Sequence, residues 1–144
     1  MDIIVLTGNA NTGKTTTLNL LFEKMSNLNN VEILKKNEIE GNNDFSAILK
    51  CGPKKIGIIS YGDYIDDFIK VFDSFEKEQL DILICSSRNK ETENSVFQFI
   101  FNKLASRHSI KLVLRTFPTN ELNSMAENIA NAIIVVLQNK YLNV

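Results

Sequence analysis

Hydrophobic positions along the chain change their period several times, and each change marks an element. Ile3-Ile4-Val5-Leu6 is an unbroken aliphatic run, as a strand buried on both faces of a parallel sheet requires. From about Gly13 the spacing becomes three and four, with Leu18, Leu21, Phe22 and Met25 on one stripe, which predicts an amphipathic helix lying on that sheet. Asn27 to Asn30 form a polar turn, and Val31-Glu32-Ile33-Leu34 predicts a second strand whose weak alternation suits a sheet edge. The polar stretch Asn37 to Asp44, with Gly41 inside it, reads as a flexible loop. Phe45 to Cys51 is apolar again, and only Gly52-Pro53-Lys54-Lys55 separates it from Ile56-Gly57-Ile58-Ile59-Ser60. That connection is too short for a parallel crossover and predicts an antiparallel hairpin.

The second half alternates regularly. Ile65, Phe68, Ile69, Phe72 and Phe75 predict a helix from Asp63, and Asp81-Ile82-Leu83-Ile84-Cys85 a central strand. Val96, Phe97, Ile100, Phe101 and Leu104 mark a further helix, Ile110 to Leu114 a last strand, and Leu122, Met125, Ile129, Ile133 and Leu137 a closing helix. The aromatic stripes keep core spacing and are read as packing. The expected fold class is therefore α/β, a mostly parallel sheet with one antiparallel hairpin strand and helices on both faces, in a single domain over residues 1–144.

The connection between the first strand and the first helix carries the chemistry. Gly8-Asn9-Ala10-Asn11-Thr12-Gly13-Lys14-Thr15 fits the G-x-x-x-x-G-K-[ST] pattern, in the strand–loop–helix context that gives the pattern meaning. Glycines let successive amides converge on an anion, and the helix N-terminus adds partial positive charge. In that pattern Lys14 reaches the β- and γ-phosphates and the Thr15 hydroxyl binds magnesium, with Thr16 next in the helix. The chain thus resembles the P-loop NTPase superfamily over Ile3 to about Leu21. The resemblance implies a three-layer P-loop NTPase-like fold, nucleotide binding by Gly8 to Thr16, and Mg2+ with ATP as cofactor and ligand. The superfamily spans hydrolases, small-molecule kinases and switches, so the loop implies a ligand class and leaves the reaction open.

Composition narrows the setting. A net charge of −1 over 144 residues gives no electrostatic footprint for nucleic acid, and no apolar run is long enough to cross a bilayer. The chain enters its first strand at once, leaving no room for a leader, so a cytoplasmic setting is expected. Cys51 and Cys85 lack C-x-x-C spacing and sit in strand-like surroundings, which reads as reduced core thiols. His108, at a helix-to-strand turn with no partner readable in sequence, is taken as a surface residue.

The rest of the site should lie at the carboxyl ends of the other strands. Asp63 in Ser60-Tyr61-Gly62-Asp63 is expected to hold the metal as a Walker-B-like carboxylate, or else to cap the next helix. Arg88 in Ser86-Ser87-Arg88-Asn89-Lys90 is expected as a catalytic charge stabiliser beside Lys14 and Asp63, or as a plain loop residue. Asn89-Lys90-Glu91-Thr92 resembles the guanine-reading N-K-x-D motif without its Asp, which favours ATP over GTP. Phe117 in Arg115-Thr116-Phe117-Pro118 either packs in the core, the favoured reading, or stacks on a base. The leading expectation is a Mg-dependent ATP-binding enzyme that hydrolyses the γ-phosphate. A small-substrate kinase, with Glu38, Glu40 or Asp44 as base and a small-molecule acceptor, is the runner-up. A nucleotide switch that recruits a protein partner is the third.

Overall fold

The central layer is a six-stranded sheet in the order β2-β3-β4-β5-β1-β6, seen in a computed structural model that describes residues 1–38, 43–62, 64–89 and 94–142. The strands are β1 (Asp2–Thr7), β2 (Val31–Glu38), β3 (Phe45–Cys51), β4 (Lys54–Ile59), β5 (Ile82–Ser87) and β6 (Ser109–Arg115). β1 pairs in parallel with β5 and β6, and β5 in parallel with β4. β3 alone runs against its two neighbours. The fold is thus an α/β fold on a mixed, mostly parallel sheet.

Helices cover both faces because the central strands are apolar on both. One core gathers Ile4, Leu6, Ile56, Ile58, Ile82 and Ile84 against α1 (Lys14–Ser26) and α4 (Leu122–Leu137), through Leu18, Leu21, Ala130 and Ile133. The other gathers Ile3, Val5, Ile59, Leu83 and Cys85 against α2 (Ile65–Glu76) and α3, the helical segment 96–106, through Phe68, Phe72, Phe75 and Ile100. Adjacent strand residues alternate between these two cores, as the period of two demands. Phe99 meets Phe68 and Phe72 edge-on at centroid distances of 6.0 and 5.8 Å, which ties α3 to α2.

Several expected boundaries move. β2 runs on to Glu38, so Asn37 and Glu38 belong to a strand and not to the loop. The hairpin turn is Gly52-Pro53 alone, with Lys54 and Lys55 already paired in β4, because Gly52 at φ 58° supplies the left-handed turn residue. The third helix is α-helical only over Val96–Gln98 and continues as a π turn, Phe99–Lys103, and a 3₁₀ turn, Leu104–Ser106. β2 lies at one sheet edge, as its weak alternation predicts, and is exposed along nearly its whole length.

Candidate functional site

Six residues, Gly8 to Gly13, carry the chain from the carboxyl end of β1 into α1. Gly8 still donates its amide to Ser87 O of β5 at 3.3 Å, and a Cβ there would stand 2.0 Å from Thr116 Oγ1. Asn11 and Gly13 take left-handed backbone, φ 59° and 86°, which asparagine and glycine tolerate best. A side chain on Gly13 would also meet Leu122 Cδ1 at 2.9 Å. The first turn of α1 has no side-chain cap, so its amide donors and the positive end of the helix dipole are what the loop offers a ligand.

Side chains brace this loop from both sides. Thr12 Oγ1 donates to Asn9 O at 2.7 Å and shares a 2.6 Å bond with Thr116 Oγ1 just beyond β6. Lys14 is buried, and its ammonium folds back to donate to Gly8 O at 2.9 Å and Asn9 O at 2.7 Å. A cationic head held by loop carbonyls is ready to exchange them for an anion.

In front of α1 lies a cavity of about 320 Å³, lined by Gly13 to Thr16, Asp44, Ser60, Gly62, Ser86 and Leu122. Asp44 precedes β3, which the hairpin places beside the carboxyl end of β4. Its Oδ1 accepts from Thr15 Oγ1 at 2.9 Å and from Ser60 Oγ at 3.1 Å, while Ser60 Oγ accepts from Phe45 N at 2.8 Å. A hydroxyl that gives its single proton to a carboxylate keeps its lone pairs for a cation. Tyr61, next to Ser60, is buried, and burial pushes its phenol up against a hydrogen bond to Ser46, with the charges of Asp44 and Asp67 adding to the rise. It therefore stays neutral beside Asp44.

Among the described residues, Ser86 is the buried side chain of the cavity wall whose polar atom has no hydrogen-bond partner. It stands one residue before the end of β5, between β4 and β1, and is 1% exposed. A buried orphan hydroxyl facing a polar cavity is a contact reserved for a ligand or a water. The wall thus divides into donors from α1, Lys14 and Ser86, suited to an anion, and the Thr15–Asp44 pair, suited to a cation. Among the described residues no three His, Cys, Asp or Glu side chains converge. One carboxylate with a hydroxyl and waters fits magnesium better than zinc or calcium, which want fuller protein ligation.

Comparison with protein-family models, curated proteins and solved structures yields no match.

The structure brings together Gly8, Asn9, Ala10, Asn11, Thr12, Gly13, Lys14, Thr15 and Thr16 as one loop and helix start. Asp63 lies outside the described residues, as do Glu40, Lys90, Glu91 and Thr92. Asp44, read from sequence as a loop base, stands instead at the hydroxyl of Thr15. Arg88 is exposed one residue past β5 and does not line the cavity. Glu38 is exposed at the end of β2 and bridged to Lys36 at 2.9 Å. Phe117 does not pack in the core and is 55% exposed, because Thr116 is the residue of that segment that turns inward. His108 has charged neighbours the sequence did not reveal. It is half-buried against Phe72, with Nε2 3.6 Å from Glu76 and Nδ1 3.4 Å from the Met1 amine. Both cysteines are buried with thiols pushed up by burial, so neither is a nucleophile.

Proposed function

We propose that this chain is a P-loop protein that binds a magnesium–nucleoside triphosphate, ATP by expectation, and hydrolyses its γ-phosphate. The observation that carries the reading is the bond from Thr15 Oγ1 to Asp44 Oδ1 at the mouth of a loop whose lysine is buried and bonded to loop carbonyls. The residue that the Gly8-to-Thr15 pattern assigns to the metal is then the residue that has a carboxylate beside it.

In this reading Lys14 leaves Gly8 O and Asn9 O to pair with the β- and γ-phosphates, and the amides of the loop and first turn hold the chain of phosphates. Thr15 and Asp44 hold the ion, Thr15 directly and Asp44 directly or through water. An ion held there would supply positive charge against the charge that develops on the phosphates in transfer. Ser86 Oγ donates to a terminal phosphoryl oxygen or to the attacking water. Phosphoryl transfer asks little covalent chemistry of a protein, so positioning and charge suffice where Asp44 is already engaged by two hydroxyls. The reading assigns Arg88 no step.

A second reading, a nucleotide-dependent switch, is favoured by one observation. Asn19 of α1 donates through Nδ2 both to Thr15 O at 2.9 Å and to Asn43 O at 3.0 Å, so the approach to β3 is tied to the same turn that would carry the ligand. Loading that turn would then be felt by the segment before Asp44.

The test is calorimetric titration of MgATP into the native chain and Lys14→Ala, together with phosphate release in the presence and absence of small hydroxyl acceptors. The expected outcome is a loss of affinity of roughly tenfold or more in the variant, with its circular dichroism unchanged, and phosphate release that no acceptor raises. Unchanged affinity in a folded Lys14→Ala protein overturns the phosphate reading. Binding without release moves the conclusion to the switch.

A further inference from the structure

The cavity has a direction that the phosphate reading alone does not use. Along the carboxyl edge of the sheet, in the strand order β3, β4, β5, β1, β6, stand Asp44, Ser60, Ser86, the Gly8–Gly13 loop and Thr116. Strands lie ~4.8 Å apart, so β4 to β6 spans ~14 Å. The Thr15 hydroxyl is turned to Asp44 on the β3–β4 side. In the loop pattern the metal and the lysine mark the γ-phosphate end. The α-phosphate and the nucleoside then leave on the opposite side, towards the connection between β6 and α4.

That connection hugs the loop. Thr116 is bonded to Thr12, and Leu122 at the start of α4 is the side chain nearest Gly13 and lines the cavity. Between them, Phe117 presents an aromatic ring that is 55% exposed, although Thr116 beside it is buried. Its backbone is not loose: the amide donates to Met125 Sδ of α4 at 3.4 Å. The Arg115 guanidinium lies 5.9 Å from the ring centroid, within cation–π range. A large apolar ring held in water by a clamped backbone, one residue from the threonine that braces the loop, has the form of a stacking platform.

We propose that Phe117 is the nucleobase platform of this site, so that the ligand is an aromatic nucleoside triphosphate taken up by stacking, purines before pyrimidines because their rings overlap more area. This rests on the phosphate reading above, and tripolyphosphate separates the two, since it carries the phosphates without a base. Among the described residues, Tyr64, just before α2, is the other exposed aromatic at this edge, 50% exposed, but it belongs to the β4 side, where the γ end lies.

The chain contains no tryptophan. Phe117→Trp therefore introduces a single indole, whose fluorescence reports stacking directly. In the full chain with magnesium, MgATP and MgGTP are expected to quench that indole and tripolyphosphate to leave it unchanged, while Phe117→Ala loses about ten- to a hundredfold in ATP affinity and less than about twofold in tripolyphosphate affinity. Phe117→Trp should bind ATP as well as the native chain or better. The platform is overturned if Phe117→Ala keeps its ATP affinity, or if its affinities for ATP and tripolyphosphate fall together, which would make the ring a support of the loop. A native chain that binds neither ATP nor tripolyphosphate would overturn the phosphate reading and the platform with it.

Discussion

Asp44 and Thr15 are one unit, and neither does its work alone. The hydroxyl proton lies towards the carboxylate at 2.9 Å, so removing either partner changes what a cation would meet. Thr15→Ala and Asp44→Asn should consequently share a phenotype, in which the magnesium concentration for half-maximal phosphate release rises by roughly tenfold or more while metal-free nucleotide binding is spared. A metal titration at saturating nucleotide checks this, and a normal requirement in Asp44→Asn would reduce that residue to a structural acceptor for Ser60. Sequence reading named Asp44 among the loop carboxylates but did not place it against Thr15 and Ser60. Counting outwards from the two-residue turn at Gly52-Pro53, Cys51 meets Lys54 and Ser46 meets Ile59, so the next pairs bring Asp44 beside Ser60 and Tyr61. The register was legible once the turn length was known. A four-residue connection slips the count and leaves Asp44 in a loop. Ser86 was not legible in this way, because an unpartnered hydroxyl is a property of packing and has no residue pattern.

At the level of elements, the connection from β6 to α4 acts as a wall for the loop it touches. Thr116 contributes a hydroxyl whose single proton is shared between Thr12 Oγ1 at 2.6 Å and Thr7 O at 3.3 Å. Thr116→Val keeps the shape and deletes both bonds. It should weaken triphosphate binding by about three- to tenfold, because the anion must then order the loop itself, while the melting temperature falls by only a few degrees. Calorimetry and thermal unfolding on the same preparation check the split, and a large drop in melting temperature with affinity intact would make Thr116 a core residue only. The strands, helices and their order were readable from periodicity because the apolar runs are long and the turns short. The helix after β5 was less so. Its Phe97, Ile100, Phe101 and Leu104 keep helical spacing, yet its middle turns are π and 3₁₀, a backbone choice that hydrophobic spacing does not encode. Phe117 was misjudged towards the core because an isolated apolar residue beside a buried threonine does not say which of the two faces in.

For the molecule as a whole, acid should act through His108. Burial lowers its affinity for a proton first, and the Met1 ammonium and Arg107 add to that against the pull of Glu76. The folded value lies below the ordinary 6.5, so the unfolded chain binds the proton more readily. The contribution is whole above pH 6.5 and is lost as pH falls through 6.5 towards the lower folded value. Urea midpoints between pH 7.5 and about 5 should fall in the native chain and fall less in His108→Gln, whose side chain does not titrate. Equal slopes would exclude the imidazole as the acid-sensitive group.

The bond between Thr12 and Thr116 has a consequence in time as well as in space. It joins residues 104 positions apart, and β1 itself finds its two partners only in β5 and β6. The loop is thus braced by a residue beyond a strand far along the chain. Contacts of that separation form late and slowly. Until β6 is in place, β1 keeps an open edge on that side and the loop lacks its brace. The shape of the loop is then a property of the assembled sheet and not of its own residues alone.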